Sequence, residues 1–160
     1  MTRVERIRMA QALALLVPLA LIGGAWGSQL FGGLYPCEMC HWQRWPHYAA
    51  IVVAALSFVT RGNRSATRSL VTFAALLIAL SGAIGVFHAG VEYGWWQGHT
   101  ACTATFAAGT DFLRVIHAPV VRCDTPQWTL FGISLAGFNA LISLGAAAAI
   151  LLLLRTGRQA

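Results

Sequence analysis

Apolar residues occur along this chain in four long runs, each followed by a shorter polar stretch. The first run covers about residues 10–31 and follows a basic start, Arg3, Arg6 and Arg8. The others cover about 40–59, 70–91 and 129–154, with the polar turn Thr60-Arg61-Gly62-Asn63-Arg64-Ser65 after the second. Roughly 20 mostly apolar residues suffice to cross a bilayer as a helix. The pattern predicts an all-α integral membrane four-helix bundle. A segment of mixed polarity, about 92–128, separates the last two runs. With neither an internal repeat nor a low-complexity linker, residues 1–160 read as one membrane domain.

The second run needs its start fixed by length. From Pro46 to Val59 there are 14 residues, about 21 Å of helix, too short for a hydrocarbon core of about 30 Å. Starting at Cys40 gives 20 residues and about 30 Å. That places the helix start at or just after Cys37-Glu38-Met39-Cys40, with Pro46 kinking its first turns.

Composition excludes the soluble alternatives. Of 160 residues 58% are hydrophobic and only 10% charged, with mean hydropathy +0.66; soluble domains run at about 45–50% apolar and about 25% charged. The net charge of +6 and pI near 9.9 would suggest nucleic acid in a soluble protein. Here all 11 basic residues are arginines and they sort by side. The face shared by the N-terminus, the 60–69 turn and the C-terminus holds eight arginines against Glu5 alone, a net +7. The other holds Arg44, Arg114 and Arg122 against Glu38, Glu92, Asp111 and Asp124, a net −1. The positive-inside rule therefore predicts two cytoplasmic termini and no nucleic-acid partner. Trp42, Trp45, Trp95, Trp96 and Trp128 all fall on the outer side, as an interfacial aromatic belt would. A cleaved signal peptide ending near Ala25-Trp26-Gly27 is the competing reading of the first run. Its apolar core is longer than the usual 7–15 residues or so, which favours retention as a span.

All four cysteines, Cys37, Cys40, Cys102 and Cys123, fall on the outer side, where an even count favours disulfides. Three readings compete. The cysteines staple the outer loops; or Cys37 and Cys40 bind a metal with Cys102, Cys123, His41 or His99; or the C-x-x-C is redox-active. The metal reading lacks zinc-like spacing in its second half, so no metal is expected. Position favours the redox reading. Cys40 at a helix N-terminus sits where free N–H groups and the dipole favour a thiolate. Arg44 lies one turn further on the same face and adds positive charge. Arg44 also suits a plain snorkelling anchor, and His88 a plain interhelical hydrogen bond. Together they suit a ligand with a lipophilic body and a polar head, such as a quinone. Between Cys102 and Cys123, Thr110-Asp111 caps a possible short surface helix through about His117, ended by Pro119.

Tyr35-Pro36-Cys37-Glu38-Met39-Cys40-His41-Trp42-Gln43-Arg44, the four runs, the two outer cysteine pairs and Cys123-Asp124-Thr125-Pro126-Gln127-Trp128 resemble the disulfide bond formation protein B (DsbB) family over nearly the whole chain. The resemblance implies a multi-pass oxidoreductase of the bacterial inner membrane with periplasmic cysteine loops. It would reoxidise a periplasmic thioredoxin-like thiol oxidase (DsbA type) and pass electrons to quinone, ubiquinone or menaquinone. It further implies catalytic Cys37, Cys40, Cys102 and Cys123, in two disulfides, Cys102–Cys123 and Cys37–Cys40. Cys102 would form the mixed disulfide with the partner, and released Cys123 would attack Cys37. Cys40 would meet the quinone, with Arg44 on a quinone oxygen and His88 near the same site. The alternatives are a sister-branch oxidase with a dedicated partner, or a disulfide-stapled scaffold that uses Gly23-x-x-x-Gly27 for close helix packing.

Overall fold

A computed structural model describes residues 2–98, Thr100 and 121–156. Four helices dominate the described residues: α1 (Arg3–Gly32), α2 (Glu38–Val59), α3 (Arg64–Glu92) and α4 (Leu135–Thr156). Helices α1, α3 and α4 are each long and apolar enough to cross a membrane. Helix α2 is diluted by Glu38, His41, Arg44 and His47 near its start.

Each boundary has a local cause. Thr2 and Glu5 form a reciprocal capping box on α1, which satisfies two otherwise orphaned N–H groups. Gly33 closes that helix at φ 65°, its N–H bonded to Ser28 O. Asn63 caps α3 through Ala66 N. Helix α2 begins at Glu38, two residues before the expected start, because Cys37 itself serves as N-cap and its sulfur accepts from Cys40 N at 3.2 Å. Pro46 lies within α2 without ending it.

The fourth apolar run is not helical from its first residue. Thr129–Leu130 (β1) and Ile133–Ser134 (β2) pair antiparallel around Phe131 and Gly132. Both turn residues have positive φ, 51° and 77°, as a tight two-residue hairpin turn requires. Ser134 then caps α4, accepting from Gly137 N. An all-α expectation omits this small element.

Helix α3 packs on α2 and α4, and α1 closes the ring against the same two helices. At one end Ala10, Ala14, Ala50, Ala54, Val71 and Ile78 belong to a core of largely small side chains. Gln11 crosses from α1 to Ser57 O at 3.0 Å, and Arg68 bonds Leu154 O in the last turn of α4. At the other end a separate cluster holds Cys37, Met39, Val91 and Cys123.

The glycines that bring helices together are not those of Gly23-x-x-x-Gly27. A Cβ at either position would meet nothing within 4 Å. The close approach is between α3 and α4, where a Cβ at Gly82 would lie 2.8 Å from Leu144. Trp96 differs from a freely lipid-facing belt residue: it stacks on Phe87, donates to Phe87 O, and covers Gly90. Trp45 and Trp95 remain widely exposed.

Candidate redox site

Cys37 and Cys40 bracket the first turn of α2, and both are thiols, their sulfurs 2.8 Å apart. They face different surroundings. Cys37 is buried in the cluster with Met39, Val91 and Cys123. The sulfurs of Cys37 and Cys123 and a ring nitrogen of His88 all lie within 4.8 Å of one another. Hydrogen bonding to Cys40, then burial, push the Cys37 thiol above its ordinary range. Cys123 is buried and disulfide-bonded. Cys102, the partner the resemblance assigns to it, lies outside the described residues, as do His99 and the expected surface helix at 110–117.

Cys40 turns the other way, into the wall of a cavity of about 260 Å³ between α1, α2, α4 and the 34–36 segment. Arg44 and His47 line the same cavity, with apolar Ala20, Leu21, Leu135 and Phe138. This matches the expected sharing of one face by Cys40 and Arg44, one turn apart. Arg44 is only 8% exposed. Its guanidinium donates to Gln29 Oε1 at 3.0 Å and to Ala25 O at 3.3 Å, and lies over the Trp26 ring. It therefore ties α2 to α1 inside the protein and does not reach out as a plain surface anchor.

His88 does not line the cavity. It stands behind the C-x-x-C, with Nε2 3.6 Å from Cys37 Sγ and 3.7 Å from Glu92 Oε1. Its route to the cavity runs through Gln43, whose Nε2 is 2.7 Å from His88 Nδ1. Gln43 Oε1 accepts from Asn139 Nδ2 at 2.8 Å, and Asn139 Oδ1 lies 3.0 Å from His47 Nε2. Ser81 and Ser143 complete this buried set. Charge and cysteine spacing gave Gln43, His47, Asn139 and Ser143 no role. The available signal was polar side chains inside apolar runs, which are functional candidates by default.

At the cavity wall, Gln127 Nε2 donates to Tyr35 O and so joins the segment after Cys123 to the one before Cys37. Arg122 forms a forked ion pair with Asp124, one arm at 2.7 Å, which holds the Asp124 carboxyl below its usual range.

Fold and site together define a multi-pass helical membrane protein with cysteines gathered at one end of its helices. The chain belongs to the DsbB family: residues 7–153 match the family described as disulfide bond formation protein DsbB. It is similar to disulfide bond formation protein B of Polaromonas sp. (strain JS666), 30% identical over 95% of this chain and 94% of that one. Disulfide bond formation protein B 1 of Pseudomonas fluorescens is 31% identical over 84% of this chain and 81% of its own. A more distant match is an uncharacterized protein of Rickettsia prowazekii, 21% identical over 88% of this chain. No solved structure matches the chain. The resemblance seen in the cysteine motif is confirmed.

Proposed function

We propose that this protein is a four-span oxidoreductase of the bacterial inner membrane that reoxidises a periplasmic thioredoxin-like thiol oxidase and delivers the electrons to quinone. One observation carries the reading: Cys37 Sγ stands within 4.8 Å of Cys123 Sγ and 2.8 Å from Cys40 Sγ, while Cys40 opens onto the cavity. The sulfurs form a line of short steps from the segment that holds Cys123 to the cavity.

Along that line the exchanges balance. A thiolate of the partner attacks Cys102 of the Cys102–Cys123 disulfide and releases Cys123 as thiolate. Cys123 attacks Cys37 of the Cys37–Cys40 disulfide and releases Cys40. The partner's second thiolate attacks the mixed disulfide at its own sulfur, freeing Cys102 and leaving the partner oxidised. Cys102 then attacks Cys123 of the Cys37–Cys123 bond, which restores the outer disulfide and leaves Cys37 and Cys40 reduced. Each step requires a thiolate, and the one released toward the cavity is Cys40 at a helix N-terminus.

The cavity fits a quinone head. Its volume is near the lower end of ligand pockets, roughly 300–1,000 Å³, its walls are mostly apolar, and its charged group is Arg44. A quinone there supplies the oxidant, taking two electrons and two protons as Cys37 and Cys40 return to a disulfide. Arg44 presents a fixed positive charge to a ring oxygen. The charge asymmetry of the sequence supports cytoplasmic termini and periplasmic cysteines.

The test mixes purified protein with a reduced thioredoxin-like oxidase and ubiquinone and follows quinone absorbance. Loss of quinone that requires all four cysteines is expected; no cysteine-dependent loss sinks the reading.

A further inference from the structure

With both imidazoles neutral, the buried polar set has one consistent arrangement of hydrogens, and two main-chain carbonyls fix it. Met39 O can only accept, so the Gln43 group 3.3 Å from it is the NH2. The same NH2 donates to His88 Nδ1, and Gln43 Oε1 is left to accept from Asn139. Ser81 O can only accept, so it holds the Asn139 NH2 at 3.2 Å. Asn139 Oδ1 must then accept, and it does so from Ser143 Oγ at 2.9 Å and from His47 Nε2 at 3.0 Å. His47 therefore carries its proton on Nε2, and Nδ1 presents a bare lone pair.

That lone pair has no partner. His47 is 3% exposed, and its Nδ1 is one of two buried side-chain polar atoms without a hydrogen bond among the described residues. Leaving such a group unmet is unfavourable, and native proteins rarely do so without a ligand or function. His47 also forms part of the cavity wall with Cys40 and Arg44.

We propose that His47 Nδ1 accepts a hydrogen bond from a ring hydroxyl of the ligand, so that the cavity distinguishes a hydroquinone from its quinone. This rests on the quinone reading above. A quinone carbonyl has no hydrogen to give and suits the donors of Arg44. A hydroquinone hydroxyl has one, and His47 in this tautomer is built to take it. His47 and Arg44 then divide the recognition by redox state, one group for each form of the ring.

The test uses the full chain in lipid nanodiscs, in a Cys40→Ala background that blocks electron transfer. A short-chain benzoquinone and its hydroquinone are titrated separately, with tryptophan fluorescence as readout. His47→Phe is expected to weaken hydroquinone binding about tenfold and leave quinone binding within about twofold. Asn139 keeps its Ser143 donor in that variant, so the network survives. His47→Asn, which places an amide oxygen where Nδ1 stood, should recover part of the loss. An equal fall for both ligands, no change in either, or no recovery with asparagine overturns the proposal and leaves the quinone reading standing. Failure of the unsubstituted His47 protein to bind either ligand overturns both.

Discussion

Gly85 on α3 faces the main chain of Ala136 on α4, so that a Cβ at Gly85 would lie 3.0 Å from Ala136 O. It would also lie 3.1 Å from Ala140 N and from Asn139 Nδ2. Backbone cannot rotate aside as a side chain can. Gly85→Ala is expected to cost about 1–3 kcal/mol through overpacking. Gly82→Ala should cost a similar amount, because a Cβ there would lie 2.8 Å from Leu144 Cγ and 3.1 Å from Ser143 Cβ, both close to the α4 backbone. Gly23→Ala meets nothing and should be neutral or stabilising by up to about 1 kcal/mol. Unfolding in denaturing detergent separates Gly23→Ala from the other two; equal effects for all three would contradict the packing.

Gln43 offers a second stability test. Gln43→Leu strips partners from His88 Nδ1 and leaves Asn139 Nδ2 only Ser81. A buried group left unmet costs about 1–3 kcal/mol, although interhelical bonds in membranes average nearer 0.6 kcal/mol or so. A loss of about 1–2 kcal/mol is expected between those limits. A neutral substitution would show that the network contributes nothing to folding.

Arg44→Lys keeps the charge but cannot hold both Gln29 and Ala25 in one fork. Under the proposed function, the KM for quinone should rise about tenfold, with a smaller change in kcat. Arg44→Met should do at least as much. Turnover measured against quinone concentration separates the two parameters, and an unchanged KM would remove Arg44 from the ligand site.

The reduced C-x-x-C should alkylate unevenly. Cys37 is buried and its thiol is pushed up by Cys40 and by burial. A raised value keeps the protonated form, so thiolate at Cys37 stays scarce until well above the ordinary thiol value of about 8.5. Near neutral pH, iodoacetamide should modify Cys40 first, read by peptide mass; faster labelling of Cys37 would refute this.

Hydropathy made the helices legible, and length alone brought α2 back to the C-x-x-C. It misplaced the start of α4, because Thr129-Leu130-Phe131-Gly132-Ile133-Ser134 is as apolar as a helix. Its Phe-Gly turn speaks through backbone angles, which an apolar run conceals. Cys37 as a cap was hidden for a related reason: sulfur stands where serine or asparagine usually announces a helix start. At the site, the Cys40–Arg44 spacing was readable because one helical turn separates them. His47 and Asn139 were not, since they stand 92 positions apart in the chain and only the fold brings α2 and α4 side chains together here. For His88 the sequence leaves two readings open, a group near the ligand and an interhelical hydrogen bond, and its neighbours Cys37 and Gln43 come from the fold.

The two sulfurs of the C-x-x-C open onto separate rooms, Cys37 toward Cys123 and Cys40 toward the cavity. Under the proposed function the protein substrate and the lipid-soluble oxidant never have to occupy the same space or be present together. Each half-reaction can finish before the other begins. Turnover should then follow ping-pong kinetics, with parallel double-reciprocal lines, and a large excess of quinone should not obstruct the partner protein's access to its own door.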